Sequence, residues 1–448
     1  MRRITIIAFT LVFISNFIGF AAVPNVKLSK LVGGINNAEI HSITRTSDGG
    51  YLLVGQWFKG AGGWDVWLLR LSASFDSLWE KSYGNTSYLD YGYSVQPVGD
   101  QGFIVAGMCG TKSNLYQGWL LRIDNQGDTL WTNKFGTDTS MNYFRAVRAL
   151  PDKGFLACGT KDGVYPMQYL WLLRTDSLGQ TIWSKTYLGD SWDAGYNVCL
   201  ANDGNYVMVG TKTGLDNKSI VLKINPNGDT LWTRNYQTIP YINRFEAIAP
   251  TSDGGYILTG YGSVSDSGGL VVVRINSLGD IIWEKLLASI CDDGIDIVQD
   301  DDGGFVVAGN MKYDYSILIK LNSFGDTLWT KKFSGNTRNE IYCMYKISGN
   351  DYLVGGHTGI KGEGMSGWLV RLGIDSSSST VYAKPDNHIH GDFNAFFNKT
   401  FTVDLLGRNI SLQILNPGKN SHFTNATAKG YYLGSHNNKN NNGIILVR

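Results

Sequence analysis

Six tryptophans recur at nearly even intervals along this 448-residue chain: Trp79, Trp131, Trp183, Trp232, Trp283 and Trp329, spaced by 52, 52, 49, 51 and 46 residues. Periods of about 20 to 50 residues mark chains built from stacked copies of one small unit, so the repeat constrains the fold before any local pattern does. GDTLW ends at Trp131, Trp232 and Trp329, and the variants FDSLW, GQTIW and GDIIW end at the other three. Two further signals accompany it. A Gly-containing turn runs into Tyr51, Phe103, Phe155, Tyr206, Tyr256, Phe305 and Tyr352, and an apolar strand ending in a basic residue starts at Trp67, Trp119, Trp171, Ile220, Val271, Ile317 and Trp368. Both signals occur seven times.

One unit, residues 41–84, reads as four short strands, HSITRT, YLLVGQW, DVWLLRL and SLWEKSYG, bounded by Gly, Asn and Asp. A four-stranded antiparallel sheet repeated about every 50 residues predicts β-propeller blades. The fold class is therefore all-β, a seven-bladed propeller. The seventh unit lacks its Trp strand, but NVKLSKLVGG near the N-terminus aligns with it: Leu28 falls where Trp79 falls, Lys30 where Lys81 falls and Gly33 where Gly84 falls. An N-terminal strand is expected to close the ring and remove a free sheet edge. Gly127, Gly228 and Gly325 occupy turn positions that tolerate positive φ, and the Asp after each is expected to cap the turn. The six repeat Trp are read as structural plates between blades.

The net charge is +1 with no run of five like charges, which argues against nucleic acid and anionic membrane as partners. Arg2 and Arg3, an uncharged apolar run and small residues at Ala21 and Ala22 read as a cleaved export signal over residues 1–22, with a retained membrane anchor as the alternative. Five Cys, an odd number at no metal-like spacing, read as buried thiols. The propeller is assigned to residues 23–373 and a Ser-rich linker to 374–391. A small β-sandwich-like tail follows over 392–448.

RIDNQGDTLW resembles the tryptophan-docking repeat of quinoprotein-like propellers, with Asp124, Gly127 and Trp131 at the matching positions. TSDGGYILTG followed by RINSLGDIIW resembles secreted bacterial propeller repeats. The tail, with DLLGR at Asp404–Arg408, Gly430–Tyr432 and Ile444–Arg448, resembles the C-terminal sorting domain of type IX secretion. That resemblance implies delivery by the type IX machinery to the outer-membrane surface of a Gram-negative bacterium, or release from it.

Comparing the seven units separates scaffold from site. Ile43, Val95, Val147, Val198, Ile248, Ile297 and Met344 form an apolar ring on the first strands and read as core. Two residues earlier stand His41, Tyr93, Arg145, Tyr196, Glu246, Ile295 and Tyr342, which change in size and charge from blade to blade. His41, Tyr93, Arg145, Tyr196, Glu246 and Tyr342 are the candidate ligand-binding rim. Three residues further back, Asp90, Asn142, Asp193, Asn243, Asp292 and Asn339 read as strand-starting residues that hydrogen-bond their own backbone. The run Asp300 to Asp302 reads as a solvated turn. No His pair, Cys pair or Ser-His-Asp order stands out, so no catalytic residue, metal ligand or cofactor is assigned. The sequence thus points to an exported monomeric binding or display module for an extracellular glycan or protein. A secreted glycan-degrading or quinone-dependent enzyme and an envelope scaffold are the alternatives.

Overall fold

Asn, Asp and Gly alternate with short β-branched and aromatic runs, and the chain forms strands joined by tight turns. The computed structural model describes residues 22–374 apart from 35–36, 59–62, 85–87, 112–114, 164–166, 188–192, 213–217, 237–240, 265–266, 289, 312–314, 335–337 and 361–363. Beyond these it describes only the strands Ser379–Val381, Phe401–Val403, Tyr432–Asn438 and Asn441–Val447. Residues 1–21, which hold most of the expected export signal, lie outside the described residues, as does most of the linker and tail. Two compact units are distinguished, Met1–Ser376 and Ser377–Arg448. In the second, Ser379–Val381 pairs with Phe401–Val403, and Tyr432–Asn438 forms a hairpin with Asn441–Val447.

The first unit is a seven-bladed β-propeller of four-stranded antiparallel sheets. The inner strands are Ala38–Arg45, Tyr91–Pro97, Tyr143–Ala149, Ala194–Leu200, Tyr241–Pro250, Asp293–Gln299 and Asn339–Ser348. Asn25–Val32 completes the seventh sheet by pairing with Gly364–Gly373. Leu28 opposes Arg371 and Lys30 opposes Leu369, just as Trp79 opposes Arg70 and Lys81 opposes Leu68 in blade 1. The closing strand therefore replaces the missing one residue for residue, and Gly33 and Gly84, which follow, both take positive φ, 74° and 139°.

Apolar side chains interleave between neighbouring sheets, as where Val221, Phe245, Tyr256 and Val271 join blades 4 and 5. The apolar ring from Ile43 to Met344 is buried throughout, and all five cysteines are buried free thiols. The largest buried plates are third-strand tryptophans, Trp67 and Trp171, whose indole N–H groups donate to Glu80 Oε1 at 2.6 Å and Ser184 Oγ at 2.8 Å.

The repeat tryptophans lie further out, half-buried except for Trp329, and all but Trp329 dock on the outer turn of the next blade. Trp79, Trp183 and Trp283 donate to the carbonyls of Asn125 (3.2 Å), Pro226 (3.0 Å) and Ser323 (2.9 Å). Glycine is required beneath them: a Cβ on Gly127 would stand 2.9 Å from the Trp79 ring. At the seam between blades 7 and 1 both partners change together. Leu28 replaces the Trp and Phe75, at φ 67°, replaces the Gly, its ring stacked on Tyr51 at 5.1 Å. The cap of these turns differs from the sequence expectation. Asp124 and Asn225, which precede the glycines, accept the turn amides, whereas Asp128 and Asp229 reach back to Lys81 (2.6 Å) and Lys185 (2.9 Å) of the preceding blade.

The basic residue ending each third strand turns under the first hairpin. Arg70, Lys223, Arg274 and Arg371 pair with Asp48, Asp203, Asp253 and Asp351 at 2.5 to 2.6 Å. In blade 6 Asp301 and Asp302 lie in an exposed turn as expected, but this clasp corrects the reading for Asp300. Asp300 is buried against Lys320 (2.5 Å), itself fully buried, and against Lys346 (2.9 Å).

Candidate functional site

Every inner strand breaks register at the same place, and those of blades 5 and 7 break it a second time elsewhere. The residue skipped in pairing is His41, Tyr93, Arg145, Tyr196, Glu246, Ile295 or Tyr342. Such bulges bend a strand and re-aim the extra side chain. The variable ring seen in the sequence is thus a ring of bulge residues, at the end of the inner strands opposite the Asp-Gly turns. Each bulge drives the carbonyl two residues earlier toward the second strand, which carries Gly55, Gly107, Gly159, Gly210, Gly260, Gly309 or Gly356 there. A Cβ on Gly159 would lie 1.9 Å from the Tyr143 carbonyl oxygen, so no larger residue fits. This glycine, always four residues after the turn aromatic, is a signal in the sequence that marks the bulge.

Five of the six rim residues form a continuous chain of contacts. His41 stacks on Tyr342 (4.9 Å, 3° between planes) and meets Tyr93 edge-on at 5.5 Å. The Arg145 guanidinium lies over the rings of Tyr93 (4.8 Å), Tyr143 (5.4 Å) and Tyr196 (5.8 Å). Glu246 joins through charge: Glu246, Arg145 and Arg244 all act on the Tyr196 phenol, which burial raises above its ordinary range and keeps protonated. Burial also opposes the charge on Arg145, but Tyr93, Tyr143 and Glu246 outweigh it and hold the group protonated.

A second tier, two residues before each bulge, was missed: Glu39, Tyr91, Tyr143, Arg244, Asp293 and Glu340, with Ala194 in blade 4. It also varies between blades, and one more step of the unit-by-unit comparison reveals it. Five of its members contact their bulge neighbour. Tyr91 stacks on Tyr93 at 6.0 Å, Tyr342 donates to Glu340 Oε2 at 2.8 Å, and His41 Nε2 lies 3.2 Å from Glu39 Oε2. Arg244 bridges Glu246 Oε1 (2.6 Å) and Asp293 Oδ2. Burial pushes the Asp293 carboxyl up to about 7, Glu246 adds to this, and the Arg244 contact only partly offsets it. Beside this tier, His357 is 3% exposed with both ring nitrogens unpartnered, and burial lowers its pKa so that it stays neutral.

The mouth is therefore divided. Blades 2 to 4 supply tyrosines around Arg145, and blades 5, 6, 7 and 1 supply Glu246, Asp293, Glu340 and Glu39. Of the strand-starting Asp and Asn residues, Asp90, Asn142 and Asp193 are buried. Asp90 and Asn142 accept the second-strand amides of Gly110 (2.9 Å) and Asp162 (3.2 Å), across the sheet rather than within their own segment. Among the described residues no group of three or more His, Cys, Asp or Glu is placed to hold a metal ion.

No protein-family model matches the chain, and no curated protein matches it. Among solved structures it is similar to a protein of unknown function from Dyadobacter fermentans (10% identity, TM-score 0.46, 79% of this chain and 99% of that one). It is similar also to a polysaccharide lyase (9%, TM-score 0.49, 75% and 90%) and to Sqt1 from Chaetomium thermophilum (12%, TM-score 0.45, 77% and 86%). By its own strand topology the chain is a seven-bladed β-propeller.

Proposed function

We propose that this protein is an exported binding module whose propeller mouth takes a polar extracellular ligand, a glycan or an extended peptide. Placement at the surface of a Gram-negative bacterium, or release from it, would follow from the N-terminal signal and from a tail read by the type IX machinery. The reading is of a monomer that works without a bound cofactor. The observation that carries it is the continuous chain Tyr342, His41, Tyr93, Arg145, Tyr196, built on bulges at which the blades differ. Tyr and Arg join apolar area to directional hydrogen bonds and dominate binding hot spots. Screening the full chain against glycan and peptide arrays tests the reading. Signals that vanish in the Arg145→Ala, Tyr196→Ala double variant support it, and signals that persist move the site elsewhere.

A second reading rests on one observation, the Asp293 carboxyl raised to about 7 beside Glu246. A carboxyl that exchanges its proton near neutrality, sharing Arg244 with a second carboxyl, suits general acid and base work on a glycosidic bond. Release of new sugar ends from the bound glycan, lost in Asp293→Asn, would establish that enzyme.

A further inference from the structure

The third-strand arginines and Arg148 each donate to at least one oxygen. Arg70, Arg174 and Arg274 pair with turn aspartates, Arg122 donates to the Gln101 carbonyl at 2.8 Å, and Arg148 donates to Asn197 Oδ1 at 2.7 Å. At the mouth, Arg244 holds two carboxylates. Arg145 differs. Among the described residues none of its N–H groups meets an acceptor, no carboxylate lies within 4.0 Å, and its Nε is sealed from solvent without a partner. Glu246, a carboxylate whose charge acts on it, is engaged by Arg244 at 2.6 Å.

Three tyrosine rings surround this guanidinium, and ring faces stabilise a cation without using its donors. Its planar fork matches a carboxylate through two parallel hydrogen bonds. The rest of the mouth narrows the charge of that group. Glu39, Glu246, Asp293 and Glu340 face Arg145, Arg244 and Arg338, and Arg338 is already paired with Glu340. A phosphate or a run of sulfates would meet this acidic half, whereas one carboxylate is matched by the one unspent arginine.

Resting on the binding role proposed above, we infer that Arg145, caged by Tyr93, Tyr143 and Tyr196, receives the carboxylate of a single uronate residue in an acidic oligosaccharide. The tyrosines offer flat apolar surface to the C–H face of the sugar ring. Across the mouth, Glu39, Glu340 and Asp293 accept from hydroxyls of the neighbouring neutral sugars. A peptide bearing a free C-terminal carboxylate shares the anion but lacks the hydroxyls that the acidic half would accept.

The test is calorimetric titration of the full chain with disaccharides ending in glucuronate, galacturonate, mannuronate or iduronate, each beside its carboxyl-reduced neutral counterpart. Short peptides with free and with amidated C-termini form the second arm. The expected result is that at least one uronate disaccharide binds and that its reduced form binds at least about tenfold more weakly. Arg145→Gln should erase that preference, and Arg145→Lys should keep part of it. Equal binding of acidic and neutral sugars, or a preference that survives in Arg145→Gln, would overturn the inference while leaving a glycan-binding role intact. Carboxylate-dependent binding of peptides alone would overturn the uronate assignment. Binding of none of these probes would remove the inference, and the array screen would then decide separately whether the mouth binds anything.

Discussion

The two ends of the inner strands solve different problems with the same seven-fold frame. At the turn end six blades repeat one device, a basic side chain, buried in five of them, pinned to an Asp of the first hairpin turn. At the bulge end the backbone repeats just as strictly, with a glycine opposite every bulge, yet the side chains run His, Tyr, Arg, Tyr, Glu, Ile, Tyr. Where the side chain repeats it holds blades together. Where only the backbone repeats, the position is held ready and its chemistry is free to differ.

The contrast predicts a graded set of outcomes. The largest is at the turn end. Lys320→Ala leaves Asp300, 2% exposed, with only Lys346 and Tyr352 against its charge, and should cost about 3 to 5 kcal/mol in urea unfolding. Next is the backbone of the bulge end: Gly159→Ala forces the new Cβ against the Tyr143 carbonyl and should cost about 1 to 3 kcal/mol. The same change at Gly204, which has φ 79° and open space around it, should cost only the strain of its backbone, about 1 kcal/mol.

A smaller effect follows from protonation. Asp293, with a carboxyl at about 7 against an ordinary 3.8, holds a proton in the folded state that the unfolded chain has already lost. Folding stability should therefore fall as pH rises from about 4 to about 7 and level off above. Asp296, buried and raised to about 6, acts with the same sign. Asp293→Asn should flatten the upper part of the curve in melts from pH 4 to 8, leaving a slope that ends near 6. An unchanged curve would show that Arg244 keeps Asp293 ionised throughout.

Much of the scaffold was legible because each signal occurs seven times and chance does not repeat at fixed offsets. Even the closing strand, with no Trp, could be set in register through Leu28, Lys30 and Gly33. What escaped depends on partners about 20 to 50 residues away, which local chemistry does not reveal. Asp300 reads as one more surface acid until Lys320 and Lys346 are brought to it, and Asp128 reads as a turn cap until Lys81 of the preceding blade arrives. At the mouth, variation between units found the bulge ring. The second tier was missed because strand alternation, which places residues two apart on one face, was not carried one step back to Glu39, Arg244 and Asp293. That Arg145 is caged and unpaired depends on three rings from three blades, and no spacing rule contains it.

The central claim is that the bulge-ring side chains are not part of what holds the ring together. It is tested most directly by urea unfolding of the Arg145→Ala, Tyr196→Ala double variant beside the wild-type chain. The account predicts a stability within about 1 kcal/mol of wild type and an unchanged dependence on urea, as for positions outside the packed core. Truncating a core aromatic to Ala alone typically costs about 3 to 5 kcal/mol. A loss of that size in the double variant would make Tyr196 and Arg145 scaffold, and would contradict the division between repeated and variable positions on which the site was found.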